Sequence, residues 1–378
     1  MGNNVFAIDL LWLRVGKVGG SESFIRNLIE GMHELDADFK AYLVVSRDNY
    51  NSFKHITADK RFEILKCDID SENVRSRVLF QNFKLSGFLK SHGITRCLEP
   101  VYAIPLLGTH SVDYYTVIHD LQAKHFPSYF SKIKLMYLDL AWKFSCKHSK
   151  RIITISKYSE NDIIRFLGVD KKKLSMIYNP VICMECDPDY SQQVLEKYGL
   201  ESGKYFFCIT SMMPHKNVFL LLEIMSQRND DFKLLICGVG GSQSELFLSK
   251  VSEYGLEDKI IVAPYVEDME KYAFFQECRL FLFPSVFEGF GMPPVEAMLM
   301  DKPVITTKET SIPEVTMGEA VYVDDPHDVI EWNSKIDETL QDIFFADRVH
   351  RKLTKSTNPY SLKTAAKKYL ELILEGDT

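Results

Sequence analysis

Short apolar runs recur down this chain, and nearly every one is followed by a stretch with helical periodicity. In the first half the runs are Val5–Leu10, Ala41–Val45, Phe62–Leu65, Cys97–Leu98, Tyr114–Ile118 and Arg151–Ile155. In the second half they are Tyr205–Thr210, Lys233–Gly238, Ile260–Ala263, Leu280–Pro284, Pro303–Thr306 and Ala320–Val323. Ser21–Leu35 and Val218–Ser226 are two of the amphipathic stretches between them. A run without a polar face must be covered on both sides. Strand then helix, repeated, is the pattern of parallel sheets with helices on both faces. Twelve such strands are too many for one strongly twisted open sheet. A length of 378 residues, at about 150 per domain, favours two domains. The predicted fold class is α/β: two Rossmann-like doubly wound domains facing a cleft.

The predicted domains are 1–180 and 181–357, with 358–378 as a C-terminal helix. Asn179-Pro180 marks the boundary, followed by an irregular polar segment from Cys183 to Gln193 and a helix over Val194–Tyr198. The last amphipathic pattern, Leu362–Leu374, has no strand behind it, so it is free to pack back on the first domain. No internal repeat or low-complexity tract is visible.

Composition removes several classes of function. A net charge of −7 gives no global pull toward nucleic acid, and 46% hydrophobic with 26% charged residues is that of a folded globular chain. The longest weakly charged stretch, Leu98 to Gly108, is about half the ~20 residues a membrane span needs, and it contains Glu99 and two prolines. The apolar N-terminus Val5–Leu13 has Asp9 at its centre and no basic region before it, so it reads as a first strand and not an export signal. Eight cysteines scattered along such a chain read as reduced thiols, and the expected location is cytoplasmic.

Four loops that follow predicted strands carry residues suited to chemistry, and ligands of open α/β sheets bind at the carboxyl ends of strands. Gly19-Gly20-Ser21-Glu22 opens a helix. Its glycines let backbone come close to a ligand, and the helix N-terminus offers N–H groups and a positive dipole end to phosphate. A plain loop with Ser21 as N-cap fits the same residues. His119-Asp120 ends a strand; such a His can donate to a sugar hydroxyl or polarise a leaving group, or simply be fixed by its neighbour. Ser211 to Asn217 precedes a helix and carries Lys216, a point charge for a phosphate. A solvated Lys at a helix start is the plainer alternative, which the dipole disfavours. The loop Glu288-Gly289-Phe290-Gly291-Met292-Pro293-Pro294-Val295-Glu296 is the strongest signal. Its prolines pre-set the first helical turn, its glycines bare backbone N–H groups, and its two carboxylates can flank one ligand and bind hydroxyls. The alternative is a polar loop with a Glu near a helix start.

These motifs also occur together in a known order. The glycine pair at 19–20, His119-Asp120-Leu121-Gln122, Asn179-Pro180, Lys216-Asn217, the Glu288–Glu296 loop and Ser311-Ile312-Pro313-Glu314-Val315 span nearly the whole chain. In them the chain resembles the retaining, nucleotide-sugar-dependent glycosyltransferases of family 4, whose fold is termed GT-B. The resemblance implies that Gly19 and Gly20 approach the donor diphosphate and that His119 contacts the donor sugar. It implies that Lys216 neutralises the leaving diphosphate and that Glu288 binds sugar hydroxyls. The backbone of Phe290, Gly291 and Met292 would hold sugar and phosphate, and Glu296 the ribose. The electrostatic load falls on the departing phosphate, so Lys216 and helix N-termini replace a metal, and no cofactor is expected. Many family members place an Arg at one of the positions held here by Ser211 and His215, so the phosphate clamp is weaker or partly hydroxyl-based.

Other signals carry less. The triplets Asp36–Asp38, Asp68–Asp70 and Asp187–Asp189 lie beside none of these motifs and are assigned no metal. Cys183-Met184-Glu185-Cys186 lacks the second pair of a zinc site. Gly238-Val239-Gly240-Gly241 departs from the dinucleotide fingerprint because Gln stands at 243. From Lys124 to Arg151, seven Lys or Arg accompany a single acidic residue, Asp139, with aromatic and aliphatic residues between them. A basic amphipathic helix there can lie on an anionic membrane surface, or be an ordinary surface helix with its apolar side in the core.

The expected activity is transfer of a hexosyl group from a nucleoside diphosphate sugar to a saccharide or lipid-linked saccharide, in cell-surface polysaccharide synthesis. The motif wording is nearest to enzymes that use GDP-mannose. The rivals are a nucleotide-sugar epimerase of the same fold, a periplasmic-type sugar-binding protein, and a non-catalytic relative.

Overall fold

The structure is a computed structural model that describes residues 4–241, 244–342 and 358–374. The chain divides into two compact units, one drawn from Met1–Val181 and Pro359–Thr378, the other from Ile182–Asn358. Unit 1 holds a seven-stranded sheet of β1 (Val5–Asp9), β2 (Lys40–Val45), β3 (Phe62–Lys66), β4 (Arg96–Glu99), β5 (Asp113–Ile118), β6 (Arg151–Thr154) and β7 (Leu174–Met176). Their spatial order is β3-β2-β1-β4-β5-β6-β7. Unit 2 holds β8 (Tyr205–Ile209), β9 (Lys233–Cys237), β10 (Ile260–Ala263), β11 (Leu280–Phe283), β12 (Val304–Thr307) and β13 (Val321–Val323), in the order β10-β9-β8-β11-β12-β13. Every pairing is parallel. Each unit is thus the doubly wound α/β arrangement read from the apolar rhythm.

The period of two explains how such runs are buried on both faces. In unit 2, Phe207 of β8 and Phe281 and Phe283 of β11 face one core, with Phe274 and Phe275. Phe206, Leu280 and Leu282 from the same two strands face the opposite core, with Leu221, Ile224 and Trp332. In unit 1 the helix Gly20–His33 buries Phe24, Ile25, Leu28, Ile29 and Met32 along one stripe. The helix Leu362–Leu374 packs against it and buries Ala365, Ala366, Tyr369, Leu370 and Ile373. Gly31 makes that contact possible: a Cβ there would lie 2.4 Å from the Leu362 carbonyl oxygen.

Several expectations need correction. The segment Cys183–Gln193 is not irregular to its end, because a helix runs over Pro188–Tyr198. The Asp187 carboxylate caps it by accepting from the Asp189 N–H at 2.9 Å, and Pro188 takes the first turn. A thirteenth strand, Leu174–Met176, escaped detection because it is three residues long, behind a run of three lysines. The basic stretch from Lys124 is not one helix. Pro127 interrupts it and the long helix is Lys132–His148. That helix buries Leu138, Trp142 and Cys146, but Ile133, Met136 and Leu140 are 78%, 62% and 61% exposed, so its apolar side is only partly core. The remaining runs agree with the observed elements within two residues. The expected junction at 357, and Gln243, lie outside the described residues.

Replacing Gly31 by Ala forces the two helices apart, and overpacking of this kind costs about 1–3 kcal/mol. Gly31→Ala is expected to lower the melting temperature by several degrees. Gly87→Ala, on an open helix surface, leaves it unchanged or slightly raised, and thermal unfolding of the two variants checks the pair.

Candidate functional site

Each sheet reverses its strand order once, between β1 and β4 in unit 1 and between β8 and β11 in unit 2. At such a reversal neighbouring strands send their connections to opposite faces, which opens a crevice at their carboxyl ends.

In unit 2 the loops after β8 and β11 meet there. Lys216 Nζ bonds Glu288 Oε1 at 2.6 Å, with the two side chains 21% and 12% exposed. Two candidate residues, 72 positions apart in the chain, are thereby one ion pair. Neighbouring loops fix the geometry. The Val286 N–H donates to the His215 carbonyl at 2.8 Å, and the Glu288 N–H donates to Thr310 Oγ1 at 2.9 Å. Ser311 Oγ lies 2.9 Å from the carbonyls of both Glu288 and Phe290. His215 is buried, and burial followed by the nearby Lys216 charge pushes its imidazole down to about 4. It therefore carries no positive charge at neutral pH, and Ser211, partly exposed, adds only a hydroxyl.

The helix Met292–Leu299 begins at this crevice. Gly291 caps it with φ 91°, a left-handed conformation that strains any residue with a side chain. Helices leave their first four N–H groups without intrahelical partners. Here two of those four positions are Pro293 and Pro294, which have none, so Gly291 and Met292 supply both remaining donors. Phe290 is buried beside them. Glu296, also buried, bonds Lys271 through Oε1 at 2.9 Å. Burial works against the Lys271 charge, but the Glu296 carboxylate outweighs it and lifts the ammonium above its ordinary value. Lys271 stands on a different helix, Asp268–Glu277, and no local sequence signal points to it.

In unit 1, Gly19 has φ 57° and precedes the helix that Gly20 opens. His119 follows β5, and its Nε2 lies 2.8 Å from the Pro100 carbonyl. A carbonyl only accepts, so Nε2 holds the proton, and burial lowers the pKa of the ring and favours its neutral form. Nδ1 is then a lone-pair acceptor. In this tautomer the free ring nitrogen can take a hydrogen bond from a hydroxyl. Phe24 packs against it edge-on, with ring centroids 5.1 Å apart.

Two further groups lie at the unit 1 reversal. Asp9 ends β1 and Glu99 ends β4, both buried. In the sequence they were visible only as lone charges within apolar runs. Burial pushes Asp9 up to about 6, despite hydrogen bonds from Gln81 at 2.5 Å and the Leu11 N–H at 2.9 Å. Burial and then the Asp9 charge push Glu99 well above the usual carboxylate range.

Cys183 and Cys186 point apart, to the carbonyls of Glu296 and Met269. All eight cysteines are free. Among the described residues no three His, Cys, Asp or Glu side chains form a group able to hold a metal ion, and no helix is long and apolar enough to cross a membrane.

Two family models match the chain: Glycosyltransferase Family 4 over residues 18–183 and Glycosyl transferases group 1 over residues 192–356. The chain is 31% identical over 238 residues to O-antigen chain mannosyltransferase B of Escherichia coli, covering 60% of this chain and 61% of that protein. It is 30% identical over 236 residues to O-antigen chain mannosyltransferase RfbU of Salmonella typhimurium, covering 62% of each. The match thus spans about three fifths of the length of these relatives. A third relative, from Campylobacter jejuni, is N-acetylgalactosamine-N,N'-diacetylbacillosaminyl-diphospho-undecaprenol 4-alpha-N-acetylgalactosaminyltransferase, 29% identical and covering 42% of each chain. Among solved structures, Anabaena HepE in complex with UDP and glucose superimposes with a TM-score of 0.74 over 98% of this chain and 100% of that one. At 16% identity this is a likeness of fold.

The buried Asp9 sets a pH dependence. Its folded value of about 6 lies above the ordinary value of 3.8, so its favourable contribution is complete below 3.8 and is lost as pH rises through about 6. Asp9→Asn removes that loss. Relative to the variant, the parent protein is expected to lose melting temperature steadily from pH 4 to pH 7, which paired melting curves across that range check.

Proposed function

The chain belongs to glycosyltransferase family 4, and from that premise we propose that it is a retaining, metal-independent hexosyltransferase. It moves mannose from GDP-mannose to a saccharide acceptor carried on a lipid, in the synthesis of a cell-surface polysaccharide. The observation that carries the reading is the Lys216–Glu288 pair, 2.6 Å apart at the strand-order reversal of unit 2 and beside the helix start at Met292. The mannosyltransferase names of the relatives in Escherichia coli and Salmonella typhimurium support the choice of sugar.

In this reading the bond from the anomeric carbon to the donor diphosphate breaks and its electron pair stays on the diphosphate. The acceptor hydroxyl forms the new bond with retained configuration, and its proton ends on the released diphosphate. Lys216 and the Gly291 and Met292 N–H groups neutralise the charge as it develops, where fixed donors are most effective. Glu288 takes sugar hydroxyls while holding Lys216 in place. Glu296 binds the ribose through the oxygen that Lys271 leaves open. Because His215 is neutral, Ser211 and Lys216 carry the part of the phosphate clamp that faces the loop after β8. Within unit 1, His119 offers Nδ1 as an acceptor to a sugar hydroxyl, and Gly19 and Gly20 leave room for a phosphate to approach the backbone. The protein acts in the cytoplasm at the inner face of the membrane, resting the helix Lys132–His148 on anionic lipid.

Thermal unfolding with GDP, UDP, dTDP, ADP and NAD, each with and without EDTA, tests the donor. GDP is expected to raise the melting temperature by a few degrees, unchanged by EDTA; a ligand at 100 times its Kd adds about 2.7 kcal/mol. A shift with NAD alone overturns the reading. Turnover of GDP-mannose without acceptor identifies an epimerase instead. Glu288→Gln and Lys216→Ala are each expected to lower kcat/KM more than 100-fold, about 2.7 kcal/mol, and wild-type rates in both would remove the site assignment. Paired Ile133→Asp and Leu140→Asp substitutions are expected to abolish co-sedimentation with vesicles containing anionic lipid.

A further inference from the structure

In unit 2, β12 and the segment after it are tied by hydroxyl groups to β11 and the loop that follows it. Thr306 Oγ1 donates to the Phe283 carbonyl at 2.8 Å, and Thr307 Oγ1 to the Ser285 carbonyl at 2.7 Å. Thr310 Oγ1 accepts from the Glu288 N–H at 2.9 Å. Ser311 Oγ, on a fully buried residue, lies 2.9 Å from the carbonyls of Glu288 and Phe290. Four hydroxyls within six residues thus grip the backbone that carries Glu288 to Lys216.

The last two of these contacts are made against local preference. Thr310 has φ 54°, a left-handed backbone that a β-branched residue adopts only under strain. Asn217, directly after Lys216, has φ 51°, but Asn is one of the few residues this region tolerates. Ser311 stands before the short helix Ile312–Val315, where a Ser ordinarily caps a helix N–H. Its side chain makes no capping bond and reaches the other loop instead.

Conflicts between local preference and the observed conformation gather at functional sites, where the surrounding structure over-determines them. Here they give one carboxylate a set position. The N–H and the carbonyl of Glu288 are both held, which fixes the direction in which its side chain leaves the backbone, and its Oε1 meets Lys216 Nζ at 2.6 Å. A residue at 310 with no side chain would be free of strain but would leave the partly buried Glu288 N–H without this acceptor.

We propose that Thr310 is a positioning residue for the donor sugar: its left-handed backbone aims Oγ1 at the Glu288 N–H, and this sets the Glu288 carboxylate where sugar hydroxyls meet it. The proposal rests on the glycosyltransferase reading and adds a residue from outside the Glu288–Glu296 loop.

Three substitutions in the whole chain separate strain, hydroxyl and function. Thr310→Ala and Thr310→Gly both lose the hydroxyl and differ only in the Cβ. Thr310→Gly is expected to melt a few degrees above Thr310→Ala, the reverse of their order at ordinary backbone angles. Both are expected to lower kcat/KM for the sugar nucleotide at least tenfold and to speed deuterium exchange at the Glu288 amide at least tenfold. Thr310→Ser, which returns the hydroxyl, is expected to bring both quantities within threefold of the parent protein. Parental turnover in Thr310→Gly overturns the proposal, because backbone shape alone would then suffice. Parental exchange at Glu288 in the Ala and Gly variants, or Thr310→Gly melting at or below Thr310→Ala, overturns it as well. Thr310→Val keeps the bulk and the strain and loses only the hydroxyl; it serves if either variant does not fold, with the same losses expected. If the parent protein transfers no sugar from any nucleotide donor, the transferase reading falls, and the exchange rates with the melting order still decide whether Thr310 holds Glu288.

Discussion

A parallel sheet cannot join neighbouring strands by a hairpin, so each connection must cross one face of the sheet, usually with a helix. In both sheets the chain first builds outward in one direction, β1 to β3 and β8 to β10, then returns to the far side of its starting strand. The strand that starts each sheet therefore ends beside one laid down much later, and their following loops diverge over opposite faces. Two features of the structure depend on that divergence. It brings Lys216 to Glu288 in unit 2, and in unit 1 it opens a cavity lined by Arg14 and Arg77.

At these crevices charges are held in pairs of unequal kind. In unit 2 each carboxylate of the Glu288–Glu296 loop has its own ammonium, Lys216 for one and Lys271 for the other. Each lysine occupies one carboxylate oxygen and orients the group, Lys216 on Glu288 Oε1 and Lys271 on Glu296 Oε1. In unit 1 the balance runs the other way. Burial disfavours the carboxyl charges of Asp9 and Glu99, while Arg14 and Arg77 line the cavity. The two crevices differ in character, one offering carboxylates paired with ammonium groups and the other guanidinium donors.

The fold class was legible because strands buried on both faces have almost no choice of residue: Leu280-Phe281-Leu282-Phe283 cannot be anything with a wet side. What the sequence concealed was mostly long range or short. Leu174–Met176 is too brief to show a period. The start of the helix at Pro188 is readable from Asp187-Pro188, a cap followed by a residue with φ already set, but the flanking polar residues mask the helical period. At the site, residue types and loop positions could be named, since Gly, Pro, Lys and Glu have distinct roles after a strand. Their partners could not. Lys271 lies 25 residues from Glu296, and Gln81 lies 72 from Asp9. Only the sheet order relates them. The tautomer of His119 was equally hidden, because it depends on the Pro100 carbonyl and not on any neighbour in sequence.

The seating of Leu362 against Gly31 has a consequence for how this protein is made. The stripe of Phe24, Leu28 and Met32 on the helix Gly20–His33 is made early, yet the helix Leu362–Leu374 that packs against this helix is made only after the whole of unit 2. At about 5–20 residues per second, elongation alone imposes a wait of tens of seconds. During translation the first unit is therefore a sheet with one helix still bare, while the whole second unit can fold ahead of its completion. Such an intermediate is a natural client for chaperones, and a premature stop anywhere before residue 362 would leave it permanently in that state.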